Sequence, residues 1–331
     1  MRHNPSMPLG EFELIARYFS RPVTRAVLGV GDDCALWAPT PGMQLAVSGD
    51  LLVEGRHFLS TVPPPALGHK ALAVNLSDLA ACGAAPAAFT LMLALTRVDE
   101  TFLQGFSDGL YALADQHGIE LVGGDTTAGP LTVGITVFGE LPPGQALRRD
   151  AARVGDDLWV SHPPGGGLGD ARLALEVLRD QAQVDGAAFA TLRLAMERPQ
   201  PRVALGIALR GVAHAAIDLS DGLSGDLGHV LARSRVGAEL ELAALPRSRV
   251  LAAQPLAVQE VCLLGGGDDY ELLFSAPGSA RAAVQRAAAA ADVAVSRIGS
   301  VQAEPGLRVR RPDGRVVPWA ARGFDHFAVD E

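Results

Sequence analysis

The stretch Ile217-Asp-Leu-Ser-Asp-Gly222 decides the fold, because in it an apolar strand ends in aspartates just before a helix begins. The strand is predicted at Ala215–Asp218 and the helix at about Asp221–Ser234. A carboxylate at the end of a strand is short and rigid, and it projects into the cleft at the edge of the sheet. The stretch therefore predicts a mixed α/β fold with aspartates at a sheet edge.

The same design occurs four more times in the chain. Carboxylate oxygens of this kind are the ligands that Mg²⁺ prefers, and a neighbouring glycine lets a phosphate approach the backbone N–H groups. Any single segment can equally be an ordinary Gly-Asp turn, but five of them together predict a site for magnesium and phosphate. The four further segments are Gly29-Val-Gly-Asp-Asp33, Val47-Ser-Gly-Asp50, Asn75-Leu-Ser-Asp78 and Gly123-Gly-Asp-Thr-Thr127.

Prolines and a glycine cluster in the stretch Leu141–Arg149, which is the predicted linker. Helical and strand patterns alternate before it and start again after it. We therefore predict an α/β (α+β) protein of two mixed α/β domains, at 1–147 and 148–331.

The overall composition excludes several classes of function. The chain has 331 residues, a formal net charge of −9 and 48% hydrophobic residues, the balance of a folded acidic protein. Such a surface repels nucleic acid and anionic membranes, so neither is an expected partner. Its three cysteines are far apart, which argues against zinc and disulfides. With no long apolar segment, we expect a soluble, cytoplasmic protein.

One predicted helix carries two rare residues. Lys70 is the only lysine of the chain, and Asn75 is the only asparagine besides Asn4. At helical spacing, Lys70, Asn75 and Asp78 lie within about 140° of one another. An ammonium group beside a carboxylate and an amide suits phosphate and hydrated metal, although a lysine without a function is the alternative.

Other candidate motifs are less specific. The stretch Gly165-Gly-Gly-Leu-Gly169 lacks the spacing of a phosphate-binding loop and is better explained as a strand-to-helix turn. Arg148 and Arg149 could reach phosphates or be an exposed basic pair, and His57 could be structural. No serine or cysteine with a partnered base is apparent.

Taken together, these segments resemble the thiamine-monophosphate kinase family, within the superfamily that includes aminoimidazole ribonucleotide synthetase and selenophosphate synthetase. The resemblance runs nearly from end to end. It also includes Gly10-Glu-Phe-Glu-Leu-Ile-Ala-Arg17, Gly266-Gly-Asp-Asp-Tyr-Glu-Leu272 and Gly323-Phe-Asp-His-Phe327.

The resemblance implies a reaction of ATP with thiamine monophosphate to give ADP and thiamine diphosphate. It implies an N-terminal domain that binds ATP and Mg²⁺ and pairs with its twin across a homodimer, and a C-terminal domain that completes the site. By position, the magnesium ligands would be Asp33, Ser48, Gly49, Asp50, Asp78, Asp125, Asp218 and Asp221. Nucleotide contacts would be Gly124, Asp125, Arg149 and Ser220, and thiamine phosphate contacts His57, Asp268 and Phe324.

A phosphate oxygen as nucleophile is already largely ionised near neutral pH, since its second pKa is about 6, so no general base is needed. We expect direct in-line transfer without a phospho-enzyme, with Asp221 and Lys70 as catalytic residues and several Mg²⁺ ions between the phosphates. On the acceptor side, Phe324 and Asp268 would offer the cationic thiazolium ring an aromatic face and a carboxylate.

Two positions depart from the family pattern. Where the family usually has Ser-Thr-Asp, this chain has Ser48-Gly-Asp50, and Asp268 stands where a glutamate is usual. The first departure bears on metal affinity and the second on thiamine recognition.

The alternatives are another ATP-dependent enzyme of the superfamily, similar to aminoimidazole ribonucleotide synthetase, and a non-catalytic sensor of the Mg–nucleotide complex. Selenophosphate synthetase is disfavoured because the reactive Cys/selenocysteine loop is missing, and the hydrogenase-maturation relative because the tail has no terminal cysteine.

Overall fold

The computed structural model describes residues 9–321 and 323, which divide into two compact units. The first unit comprises the residues up to Asn75 and the segment Pro86–Glu140, and the second comprises Leu76–Ala85 and the residues from Leu141 onward. The segment 141–147 thus clusters with the second unit. There the backbone N–H of Leu147 donates to the carbonyl oxygen of Cys82 (3.1 Å).

The first unit is built around a four-stranded sheet. Its strands are β3 (Gln44–Val53), β4 (Ala85–Leu95), β5 (Glu120–Ala128) and β6 (Thr132–Leu141), in the order β3-β6-β4-β5. Strands β4 and β5 are parallel, and β3 lies at an edge. A helix and a two-stranded ribbon precede the sheet in sequence, namely α1 (Glu11–Tyr18), β1 (Ala26–Leu28) and β2 (Leu36–Trp37).

Helix α3 (Glu100–His117) is capped at both ends. The Asp99 side chain accepts hydrogen bonds from the N–H groups of Thr101 (3.0 Å) and Phe102 (3.1 Å). Gly118 ends the helix in the left-handed conformation, at φ 59°. These caps satisfy backbone groups that a helix leaves unpaired.

Helix α2 (Pro64–Cys82) is buried on nearly every side, as expected for a helix that is apolar all round. It starts on a proline, which suits a first helical turn, and it is followed by Gly83 in the left-handed region. Its two rare residues are both buried, with Lys70 2% and Asn75 1% exposed.

The second unit contains a seven-stranded sheet in the order β13-β12-β9-β11-β7-β10-β8. Its strands are β7 (Asp156–His162), β8 (Ala215–Asp218), β9 (Gly237–Glu241), β10 (Leu272–Pro277), β11 (Ala294–Gln302), β12 (Gly306–Arg310) and β13 (Val316–Trp319). Its helices are α4 (Asp170–Leu178), α5 (Gly186–Glu197), α6 (Val203–Ala208), α7 (Leu223–Ser234), α8 (Arg249–Ala252), α9 (Leu256–Gly265) and α10 (Arg281–Ala290). Both units are mixed α/β, which confirms the predicted fold class.

None of the helices in residues 9–321 is both long enough and apolar enough to cross a membrane.

Helices α2 and α3 approach each other so closely that glycine is required at the contact. A Cβ atom on Gly68 would lie 2.0 Å from the carbonyl oxygen of Phe106, and one on Gly109 would lie 1.9 Å from that of Pro65. Both obstacles are backbone atoms, which cannot rotate away as a flexible side chain can. The core of the first unit therefore depends on small residues at this crossing.

We predict that Gly68→Ala lowers the free energy of unfolding by about 1–3 kcal/mol, although alanine favours a helix, because the added methyl group overpacks the crossing. Gly186→Ala is the matched control, since its Cβ would meet nothing within 4 Å. Chemical denaturation measures both. Equal stability of the two variants would contradict the steric argument.

Candidate active site

The turn after strand β8 brings several predicted site residues of the second unit together. The segment before β10 lies against this turn, where the N–H of Asp268 donates to the carbonyl oxygen of Ser220 (2.9 Å) and that of Tyr270 to Leu219 (2.8 Å). A Cβ atom on Gly267 would lie 2.4 Å from the Ser220 carbonyl oxygen, so only glycine permits this approach. Ser220, a predicted nucleotide contact, and Asp268, a predicted acceptor contact, are therefore neighbours.

Asp268 itself has a left-handed backbone, with φ 67°, and so does Tyr270, with φ 49°. Such conformations cost free energy in residues other than glycine and persist only where surrounding contacts enforce them. The next residue in the chain, Glu271, makes such contacts. The buried carboxylate of Glu271 pairs with Arg202, whose Nε donates at 2.7 Å, and accepts from the Ser161 hydroxyl (2.5 Å). This network fixes the end of the segment that carries Asp268.

Asp226 is a member of this cluster that the sequence reasoning missed. It lies in the first turn of α7, is 3% exposed, and accepts a hydrogen bond from the N–H of Asp221 (3.1 Å). Burial and then the charges of Asp218 and Asp221 raise the pKa of Asp226 to about 8. The feature of the sequence that could have indicated Asp226 is its position five residues after Asp221, in the first turn of the predicted helix. Three carboxyl groups, of which Asp226 resists ionisation, therefore lie close together at this end of β8.

Arg149 also acts on the second unit's cluster, and Asp78 shares Cys82 with it as a neighbour. Arg149 is close enough to Asp226 to oppose the rise of its pKa. Burial raises the pKa of the Cys82 thiol, Asp78 raises it further, and Arg149 and Arg210 lower it. Both Asp78 and Arg149 therefore lie in the electrostatic neighbourhood of Cys82.

In the first unit, a small pocket adjoins Gly124 and Asp125 on strand β5. Its walls are largely apolar, and it includes Ile15 and Phe19 from the N-terminal segment together with Leu91. Gly124 is left-handed, and a Cβ there would lie 1.8 Å from the Leu91 carbonyl oxygen. The apolar walls of this pocket suit an apolar part of a ligand. The neighbouring carboxylate suits a part of the ligand that carries a bound cation.

His57 follows β3 in the first unit, and its Nδ1 atom accepts a hydrogen bond from the N–H of Val53 (3.0 Å). Because Nδ1 accepts, the proton of the neutral ring is on Nε2. The ring thus has an N–H donor on the edge that faces away from this bond.

The predicted site residues divide between the two units. The first unit holds Asp33, Ser48, Gly49, Asp50, His57, Lys70, Gly124 and Asp125. The second unit holds Asp78, Arg149, Asp218, Ser220, Asp221 and Asp268. The contacts above bring Ser220 beside Asp268, and Asp218, Asp221 and Arg149 beside Asp226, whereas Asp78 lies near Cys82. Asp33 is exposed in the turn between β1 and β2, and Phe324 lies outside the described residues.

Within residues 9–321, no three His, Cys, Asp or Glu side chains form a ready-made metal site. Mg²⁺ in phosphate-transfer sites usually binds one or two carboxylates and completes its octahedron with water and substrate phosphates. The cluster of Asp218, Asp221 and the buried Asp226 offers hard oxygen donors close together. These residues fit magnesium that arrives with a phosphate, and they do not fit a closed structural metal site.

Two family models match most of the chain. Residues 31–141 match the AIR synthase related protein N-terminal domain, and residues 153–311 match the corresponding C-terminal domain. The thiamine-monophosphate kinases of Salmonella typhimurium and Escherichia coli are each 44% identical over 329 residues, covering 98% of this chain and 100% of theirs. The chain belongs to the thiamine-monophosphate kinase family. The family resemblance inferred from its motifs is confirmed.

Solved structures agree with this family assignment. Thiamine-monophosphate kinase from Stenotrophomonas maltophilia superposes with a TM-score of 0.81 at 45% identity, covering 91% of this chain and 94% of that one. AaThiL complexed with AMPPCP and TMP superposes with a TM-score of 0.74 at 29% identity, covering 88% and 89%. The hydrogenase maturation protein HypE shares the fold, with a TM-score of 0.74 at 19% identity over 96% of this chain and 98% of that one.

The glycine at position 49, where the thiamine-monophosphate kinase family usually has threonine, faces the neighbouring strand β6. A Cβ atom on Gly49 would lie 3.1 Å from the Ile135 carbonyl oxygen and 3.3 Å from the Thr136 hydroxyl oxygen. Side chains alternate along a strand, so Ser48 and Asp50 point to the opposite face. The absence of a threonine side chain at position 49 therefore affects the contact between β3 and β6. The Thr136 side chain lies beside the space that a side chain at position 49 would take.

We predict that Gly49→Thr alone lowers the free energy of unfolding by about 1–3 kcal/mol, because the new side chain meets Ile135 and Thr136. Adding Thr136→Gly should recover part of that loss, giving a coupling energy of about 1 kcal/mol in a double-mutant cycle. Thr132→Gly, on the same strand, is the control partner and should combine additively with Gly49→Thr. If the effects of Gly49→Thr and Thr136→Gly on the free energy of unfolding were additive, the two side chains would not compete for the same space.

Proposed function

We propose that this chain transfers the γ-phosphate of ATP to thiamine monophosphate, which yields ADP and thiamine diphosphate. The observation that carries this proposal is the 44% identity with thiamine-monophosphate kinases over essentially the whole chain. The related structure with AMPPCP and TMP supports both substrates. Because ATP is the phosphate donor, we place the reaction in the cytoplasm.

Charge repulsion is the main physical obstacle to this reaction, because ATP and the acceptor phosphate are both anionic. The attacking phosphate oxygen needs no general base, since it is already largely ionised near neutral pH. The protein's work is therefore to position the two phosphates in line and to offset their charge. In this proposal Arg149 and Lys70 supply fixed positive charge, and Asp221 with the other aspartates holds magnesium.

Magnesium bound at this site would supply positive charge that offsets the charge of the phosphate groups. The residues that would hold it are Asp33, Ser48, Gly49 through its carbonyl, Asp50, Asp78, Asp125, Asp218 and Asp221.

The two substrates have separate predicted contacts. Gly124 and the pocket beside it would receive part of the nucleotide, together with Asp125, Arg149 and Ser220. The Nε2–H group of His57 can donate to the acceptor phosphate, since Nδ1 is held by Val53. The carboxylate of Asp268 would attract the cationic thiazolium ring, and Phe324 remains its predicted aromatic partner.

We predict that ADP release with ATP and Mg²⁺ depends on thiamine monophosphate and stops when a chelator removes the metal. Asp221→Asn should lower kcat about 100-fold or more, as expected for loss of electrostatic stabilisation, whereas Asp313→Asn in an exposed turn should match the wild type. Coupled measurement of ADP and chromatographic detection of thiamine diphosphate provide the readout.

Two results would contradict this proposal. If ADP release did not depend on the acceptor, the chain would instead be a nucleotide sensor or a superfamily enzyme with another acceptor. If γ-labelled ATP without acceptor left a covalent phosphoryl group on the protein, transfer would not be direct.

We also propose that the first unit pairs with its twin in a homodimer, through the uncovered apolar face of its sheet. Leu45, Val47 and Leu51 on β3 are 46%, 59% and 57% exposed, and Met92 on β4 is 47% exposed. A Cβ atom on Gly134 of β6 would meet the side chains of both Leu51 and Met92, so these residues share one face. A contiguous apolar face of this kind is typical of an interaction surface.

We predict that Leu51→Glu combined with Met92→Glu converts the dimer to a monomer, because two charges would be buried at the interface. Leu194→Glu on α5, with a leucine 56% exposed, is the control and should leave the mass unchanged. Light scattering coupled to size exclusion measures the mass. A double variant that remained dimeric would place the interface elsewhere.

A further inference from the structure

The buried amide of Asn75 connects helix α2 to the edge strand β3. Asn75 is 1% exposed, and its Nδ2 donates to the carbonyl oxygen of Ala71, one helical turn earlier, at 3.0 Å. Its Oδ1 accepts a hydrogen bond from the N–H of Asp50, also at 3.0 Å. Because one end must donate and the other must accept, these two partners fix the orientation of the amide.

The hydrogen bond from Asp50 gives a partner to a backbone N–H group of the edge strand β3. An edge strand has neighbours on one side only, so its outward N–H groups have no partner in the sheet. Such a group costs free energy when it is buried without a hydrogen bond. Asn75 supplies that bond at Asp50 and so fixes the backbone from which the Asp50 carboxylate extends.

We infer that Asn75 is a positioning residue, which holds Asp50 in place for magnesium that arrives with the nucleotide. This inference rests on the proposed function. Both polar ends of the Asn75 side chain are engaged within the protein, so it acts through Asp50 and does not itself contact phosphate. This differs from the expectation of the helical spacing, which grouped Asn75 with Lys70 and Asp78 as phosphate-side residues.

Asparagine is the residue that this position requires. Leucine has a similar size but can neither donate nor accept, and it would leave the Asp50 N–H without its partner. Aspartate would direct a carboxylate oxygen at the Ala71 carbonyl oxygen, where two acceptors repel. Glutamine is one methylene longer, and this position is only 1% exposed. The need for one donor and one acceptor explains an asparagine in a chain that almost lacks this residue.

The decisive experiment compares Asn75→Leu with Leu72→Ala, a second fully buried position of α2 with no polar group. Mn²⁺ serves as the probe, titrated in the presence of AMPPCP and followed by the paramagnetic resonance signal of the free ion. Asn75→Leu should raise the dissociation constant of Mn²⁺ about 10- to 100-fold, as expected when the partner of a metal ligand is removed. Leu72→Ala should lower Tm while changing the Mn²⁺ constant less than about twofold.

Hydrogen–deuterium exchange gives a second measurement. Peptides that contain residues 44–53 should exchange faster in Asn75→Leu than in Leu72→Ala, because only the first change frees the Asp50 N–H. Asn75→Ser, whose hydroxyl is too short to replace the amide, serves in the same assays if the leucine variant does not fold.

Three outcomes would overturn the inference. Unchanged Mn²⁺ affinity in the Asn75 variants would show that Asp50 needs no such support. Equal weakening in Leu72→Ala would assign the effect to general destabilisation, and a wild-type chain that bound no Mn²⁺ would remove the metal role itself. Because the titration needs no acceptor, a failure of the thiamine monophosphate assay alone would reject the proposed function and leave this result standing.

Discussion

The burial of carboxyl groups beside one another, where strand β8 leads into helix α7, is the constraint on which the candidate site depends. Burial, and after it the charges of Asp218 and Asp221, raise the pKa of Asp226 to about 8, so this carboxyl group resists ionisation at neutral pH. Holding such carboxyl groups together costs free energy, which other contacts of the fold must offset. Bound cations would lower this cost. In a kinase whose substrates are both anionic, the same excess of carboxylates becomes useful, because it recruits the magnesium that accompanies phosphate.

Polar side chains inside the protein hold the backbone of these carboxylates in place. Asn75 binds the N–H of Asp50 in the first unit, and Asp226 binds that of Asp221 in the second. The pair of Glu271 and Arg202 anchors the segment that carries Asp268. Each of these supports is buried or nearly so, where a hydrogen bond cannot be exchanged for one to water and is therefore costly to break.

The sequence predicted the parts that depend on local patterns. The strand Ala215–Asp218, the helix that follows it and the alternation of strands and helices followed from the spacing of apolar residues. The motifs around Asp33, Asp78 and Asp221 identified the family. The sequence did not indicate that Asn75 would turn toward Asp50, that Asp226 would join the cluster, or that Thr136 would lie beside Gly49. Each of these is a contact between residues brought together by packing, and no spacing along the chain encodes it.

The strand–aspartate–glycine stretch at Ile217–Gly222 shows where that division lies. By itself, the sequence determined that carboxylates would stand at strand ends beside glycines, because the backbone preferences of apolar residues, aspartate and glycine are local properties. Only the tertiary structure decided how those carboxylates are supported. Three features of the site depend on which surfaces pack together. They are the close approach of Gly267 to Ser220, the burial of Asp226 and the hydrogen bond between Asn75 and the Asp50 N–H. Burial and hydrogen bonding are properties of the packed chain, and they set the charge and geometry of the site.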